Sequence, residues 1–192
     1  MFMPGMIQAI KIFISPGYER RNYQMLLDII TYPDPVLKTA AALVENIDGA
    51  LQELIDNMIE TMYRAPGIGL AANQVGSLSR VIVFDRSPRE PGQDPAVLIN
   101  PEIVEREGSI VHEEACLSVR DYSAEVKRNF QVKARGLDRH GNPLSFDAED
   151  LIAVCLQHEI DHLNGVLFID HLSTLKRALY KKRLKKILES ES

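Results

Sequence analysis

The chain has 192 residues, of which 45% are hydrophobic and 26% charged, and its formal net charge is -5. That balance fits one globular domain with a substantial core and argues against general nucleic-acid binding. No apolar run approaches the roughly 18 residues that a membrane-spanning helix needs, and two cysteines in a chain without a convincing signal peptide fit a reducing cytoplasm.

Residues 1–24 differ in character from the rest of the chain. A short apolar run interrupted by Lys11 leads into Pro16-Gly17 and Arg20-Arg21, without a small-residue cleavage site. The expectation is an N-terminal extension, disordered or of non-native origin, with Met25 as the natural start of a single catalytic domain over residues 25–192. From Asp48, a suitable N-cap, Leu51, Leu54, Ile55, Met58, Ile59 and Met62 recur at helical spacing until Pro66-Gly67. Strand-like segments occupy residues 80–84, 96–100, 109–112, 122–127 and 131–137, and residues 138–143 read as a turn. Residues 149–164 predict a helix whose Asn164-Gly165 suits a left-handed cap, and residues 171–188 a final helix. With no regular βαβ alternation, this order indicates an α+β fold: mostly antiparallel strands packed around a central metal-binding helix, with a C-terminal helix.

The chemistry concentrates in Gln157-His158-Glu159-Ile160-Asp161-His162. Residues four apart on a helix differ by only about 40° in azimuth, so His158 and His162 share a face and can grip one metal ion. Glu159 lies beside them, placed to take a proton from water on that ion. The plainer alternative is two helix histidines satisfied by polar neighbours. The apolar Leu151, Ile152, Val154 and Leu156 argue for a buried helix, in which two His, a Glu and an Asp need a partner. Two imidazoles leave a metal under-coordinated. Cys116, directly after a strand-like segment, is the best third ligand, while Cys155 sits in an apolar helical stretch and reads as a small core residue. Use of both thiolates would close a tetrahedral site and remove the open position that catalysis needs.

Four segments carry a family resemblance: Tyr32-Pro33-Asp34-Pro35, Gly67-Ile68-Gly69-Leu70-Ala71-Ala72-Asn73-Gln74, Glu114-Ala115-Cys116-Leu117-Ser118, and residues 157–165. In this order the chain from about Met25 onward resembles peptide deformylase, which removes the formyl group from the N-terminal methionine of new bacterial proteins. The resemblance implies that Cys116, His158 and His162 bind one divalent metal, with Fe²⁺ as the physiological ion and Zn²⁺ as its replacement in purified protein. It implies Glu159 as proton carrier, the Gln74 side chain and Leu117 N–H as oxyanion donors, and Ile68, Gly69 and Ala115 as the residues that hold substrate as an added strand. N-formylmethionyl nascent peptides are the implied substrates, in the cytoplasm.

One departure is Ala115, where the family usually has glycine. An extended conformation, in which the methyl group costs little, is expected there rather than a strained positive φ. Glu114 and Arg128 read as a pair that holds the Cys116 loop, with a weak surface pair as the alternative. Asp161 reads as an orienting group rather than a ligand. Lys176, Arg177, Lys181, Lys182, Arg183, Lys185 and Lys186 form a basic C-terminal stretch. It is either a solvated helix face or a docking surface for a strongly anionic partner such as RNA, and the family resemblance implies ribosomal RNA, bound without sequence specificity. Two rival functions are a zinc peptidase, for which a third carboxylate or His would be usual in place of Cys116, and a catalytically silent ribosome-binding module, which would lack Glu159, Gln74 or a ligand.

Overall fold

The computed structural model describes residues 25–89 and 94–191; the extension expected over residues 1–24 lies outside them. The apolar stripe after Asp48 forms helix α1, Gly49–Arg64, with the Asp48 carboxylate capping the Leu51 N–H. Strands β1 (Gly69–Ala71), β2 (Val81–Asp85), β3 (Pro95–Glu107), β6 (Gln131–Leu137) and β7 (Pro143–Glu149) make one five-stranded sheet in that order. Strands β4 (Ile110–Cys116) and β5 (Val119–Arg128) form a separate two-stranded hairpin. All pairings between these strands are antiparallel.

The β2 sequence Val-Ile-Val-Phe is apolar throughout because both faces of the sheet are covered. Val81 and Val83 pack with Leu51, Ile55, Met58 and Met62 of α1. Ile82 and Phe84 pack with Leu156, Ile160 and Leu163 of a second helix, α2 (Asp150–Leu163). Alternation therefore divides one strand between two cores. Each such side chain, when fully buried, contributes about 1.5–3 kcal/mol of transfer free energy. A third cluster joins Val119 and Val126 of the hairpin to Phe168, Leu172, Tyr180 and Leu184. Helix α2 thus runs through the centre of the fold, with residues 153–160 all buried.

Several expectations need adjustment. Strand β3 does not stop at Asn100 but continues to Glu107, with irregular register on either side of Ile103. Asn100 adopts φ 54°, and its side-chain amide makes a two-way bond with the Val44 backbone. This irregularity accommodates Pro101 within a strand, which a regular ladder would not. Strand β7, with Leu144, Phe146 and Ala148 towards the α2 core, is masked in the sequence by the turn signal of residues 138–143. The final helix, α3 (Thr174–Glu191), begins later than residue 171 because residues 168–171 form a 3-10 turn, closed by the Asp170 carboxylate on the Leu167 N–H. Helix α2 ends as the sequence suggests: Gly165 has φ 72°, and a Cβ there would lie 2.6 Å from the Lys38 carbonyl oxygen. Among the described residues, no helix is long and apolar enough to cross a membrane.

Candidate metal centre and active site

One turn of α2 presents His158 and His162 side by side, their Nε2 atoms 3.2 Å apart. Cys116, at the end of β4, brings its Sγ to 3.1 Å from His162 Nε2. The ligand atoms of all three residues lie within 4.8 Å of one another. Tetrahedral ligands at about 2.0–2.3 Å from an ion lie roughly 3.3–3.6 Å apart, so a single cation fits the cluster.

The donor chemistry agrees. His158 Nδ1 is 2.7 Å from Glu114 Oε2. A carboxylate there holds the proton on Nδ1 and leaves the Nε2 lone pair to face the cluster. Burial pushes the His162 imidazole well below its ordinary pKa, with the His158, Lys38 and Arg128 charges adding to the effect. A neutral ring is the form that binds metal. Burial also opposes protonation of His158, but hydrogen bonds with Cys116 and Glu114 outweigh it and hold its pKa well above the usual value. That proton is the one a cation would displace.

Glu114 is itself placed by Arg128. The guanidinium donates from Nε and Nη2 to the two carboxylate oxygens at 2.7 and 3.1 Å, and both side chains are about 95% buried, being 5% and 4% exposed. The pair is therefore buried and bidentate, not a surface contact. Arg128 Nη1 continues to Asp161 Oδ2 at 2.5 Å, so Asp161 orients neighbours rather than joining the cluster.

Glu159 is 5% exposed, and its buried Oε2 has no hydrogen-bond partner among the described residues. Burial lifts its carboxyl to about 7, partly offset by the His158 and Arg128 charges. Strand β1 can approach this helix only because residue 69 is glycine: a Cβ there would sit 2.5 Å from Glu159 Oε1 and 2.7 Å from Cys155 Sγ. Cys155 is buried core, as expected, and its Sγ lies 3.5 Å from the Ile68 carbonyl oxygen.

Gln74 Oε1 accepts from the Ala71 N–H at 2.8 Å, which turns the amide Nε2 towards Ser118 Oγ at 3.2 Å and Cys116 Sγ at 3.6 Å. A cavity of about 330 Å³ is lined by Ile68, Gly69, Gln74, Cys116, Leu117, His158 and Glu159, among others. It lies between β1 and β4, which among the described residues pair with β2 and with β5 alone. Ala115 is extended in β4 opposite Ser123, so the departure from glycine costs no backbone strain.

All nine residues expected at the site line the cavity or its metal cluster. Sequence reasoning misses three supporting residues: Ser118 beside Gln74, Asn73, whose Nδ2 donates to the His162 carbonyl at 2.5 Å, and His171 beside Asp161. Asn73 and Ser118 fall inside the motif segments, but their partners are distant in sequence. His171 reads as the first residue of a helix.

A helix-borne His-Glu-x-x-His set completed by a thiolate, with a buried carboxylate beside it, defines the class of mononuclear metal-dependent hydrolases. The family model for polypeptide deformylase matches residues 26–178. A peptide deformylase of Thermodesulfovibrio yellowstonii is 55% identical over 160 residues, covering 83% of this chain and 97% of that protein. One from Syntrophobacter fumaroxidans is 54% identical over 164 residues, 85% of this chain and 96% of that protein. The crystal structure of a peptide deformylase from Legionella pneumophila superposes with a TM-score of 0.80 at 42% identity, covering 87% of this chain and 98% of that one. This chain belongs to the polypeptide deformylase family.

The buried pair generates a prediction. The Glu114 carboxyl would be raised by burial, but hydrogen bonds from His158 and Arg128 win and hold it at about 2, against an ordinary 4.5. A depressed carboxylate contributes its full share above the ordinary value and loses it as pH falls towards the folded one. Glu114→Gln is expected to cost on the order of 3 kcal/mol at pH 7, by stranding Arg128, and to flatten the loss of stability below about pH 4.5. Urea unfolding of the metal-free protein across pH measures both effects; unchanged stability at pH 7 would contradict the buried pairing.

Proposed function

We propose that this chain is a metal-dependent amide hydrolase that removes the N-formyl group from the N-terminal methionine of newly made polypeptides and releases formate, its catalytic unit being one domain from residue 25 onward. The observation that carries the reading is a buried, unpartnered carboxylate oxygen on Glu159, next to converging Cys116, His158 and His162 in a cavity between two strand edges. Those three residues would hold one divalent cation. When bound, the ion supplies Lewis acidity and brings the ionisation of water within reach of neutral pH. The mixed thiolate and imidazole set suits Zn²⁺ or Fe²⁺; we take Fe²⁺ as the physiological ion, with Zn²⁺ replacing it in purified protein.

Glu159 takes the proton of the attacking water and returns it to the departing amine. Among the described residues its Oε2 has no competing donor, which leaves it available for this transfer. As negative charge grows on the formyl oxygen, the Gln74 amide and the Leu117 N–H donate to it. The Ala71 N–H bond fixes the Gln74 amide orientation in advance, so little reorganisation is needed at the moment of reaction. The substrate backbone adds as a strand between Ile68-Gly69 and Ala115, and Ile68, Leu117, Leu151 and Val154 offer apolar surface to the methionine side chain. The third ligand being Cys116 rather than a carboxylate or His separates this site from the zinc peptidases.

Formate release from a formyl-Met peptide, compared with an acetyl-Met peptide of the same sequence, tests the activity. Only the formyl substrate should turn over, and Gln74→Ala should lower kcat about 10²–10³-fold with little change in KM. A fall in affinity alone would remove Gln74 from the oxyanion role.

The substrate emerges at the ribosome, and α3 carries Lys181, Lys182, Lys185 and Lys186 exposed while Tyr180 and Leu184 anchor the helix to the body. This arrangement supports docking of α3 on ribosomal RNA in the cytoplasm. Replacing those four lysines by Glu should abolish co-sedimentation with ribosomes while formate release from a free peptide persists. Undiminished co-sedimentation would refute the docking role.

A further inference from the structure

Beyond the cavity, a hydrogen-bonded chain leaves the metal cluster and reaches solvent elsewhere. It runs from His158 Nδ1 to Glu114 Oε2 at 2.7 Å, and from Glu114 to the Arg128 fork at 2.7 and 3.1 Å. From Arg128 Nη1 it reaches Asp161 Oδ2 at 2.5 Å, and that oxygen meets His171 Nε2 at 2.7 Å. Arg128, Asp161 and His171 line a second depression that shares no residue with the catalytic cavity. We propose that His171 is a positioning residue for the metal centre: by holding Asp161 it fixes the Arg128 fork, through it Glu114, and through Glu114 the ring of His158.

The chemistry of each link supports transmission. An ionised Asp161 only accepts, so the His171 Nε2–H donates to it. One oxygen, Asp161 Oδ2, is shared by Arg128 and His171, and the Asp161 side chain is 24% exposed. Without His171 that carboxylate can turn to water. The guanidinium is planar and rigid, so losing its anchor at Nη1 tilts the edge that grips Glu114. Glu114 Oε2 is likewise shared, between Arg128 and His158, so its shift reorients the imidazole.

The turn that carries His171 touches His158 a second time. In a 3-10 turn residues three apart eclipse, and Phe168, three before His171, stacks on the His158 ring with centroids 6.1 Å apart and planes at 24°. Lys38 pairs with Asp170 and pins the same turn. One short segment therefore supports the ligand both at its face and at its Nδ1.

The test follows zinc loss from the zinc-loaded full chain into excess chelator, a readout independent of deformylation. His171→Ala and the volume-keeping His171→Phe should each lose zinc about threefold to tenfold faster, below the ~10–100-fold effect of groups bonded directly to a ligand. His171→Gln, whose amide can still donate to Asp161, should stay within about twofold of wild type. In an Asp161→Ala background, which removes the shared acceptor, His171→Ala should add little. With peptide substrate, kcat should fall in His171→Ala while KM holds. Wild-type zinc retention in both His171→Ala and His171→Phe, no rescue by Gln, or full additivity with Asp161→Ala would overturn the assignment. The inference rests on His158 being a ligand; equal zinc retention by His158→Ala would reject that premise separately.

Discussion

The structure depends on a buried ion pair. Glu114 and Arg128 sit on adjacent strands of the β4–β5 hairpin, and Glu114 also binds His158 on α2, so one carboxylate ties together the two pieces of chain that supply the metal cluster. Isolated in the interior, either charge would cost several kcal/mol; together, with His158 and Asp161 filling the remaining positions, they satisfy one another. Alternation along β4 does the rest. Glu114 and Cys116 point inwards to α2, and Ala115 between them is left exposed at the strand edge.

The same economy shapes the reactive side of the cavity. Glu159 is pressed against β1 so closely that only glycine fits at position 69. The contact buries the carboxylate and, among the described residues, leaves one of its oxygens without a partner. Two strand edges then bracket a cavity of about 330 Å³. A helix that crosses the middle of the fold, buried along residues 153–160, provides the rigid support that such alignment demands.

Much of this is legible in the sequence because its signals are local. The α1 stripe, strand β6, the α2 boundaries and the pairing of His158 with His162 follow from periodicity, caps or motif spacing, and Cys116 stands out by its place after a strand-like segment. The features that escape have a nonlocal cause. The extension of β3 through Pro101 depends on the Asn100 bond to Val44, 56 residues away. Strand β1 is three residues long and gains its identity from pairing with β2. Spacing does not decide the burial of the Glu114–Arg128 pair, since strand position alone does not say what covers the hairpin. His171 reads as helical because no local signal distinguishes a 3-10 turn ending at residue 171 from the first turn of α3.

The central claim is that Glu159 moves protons while Cys116, His158 and His162 hold the ion. Its most direct test is to prepare wild type and Glu159→Ala anaerobically with Fe²⁺, and to quantify bound metal and formate release on the same samples. The account predicts one ion per chain in both, with turnover in the variant reduced about 10²–10⁴-fold. A Glu159→Ala protein that keeps its metal and hydrolyses formyl-Met peptides at the wild-type rate would contradict it.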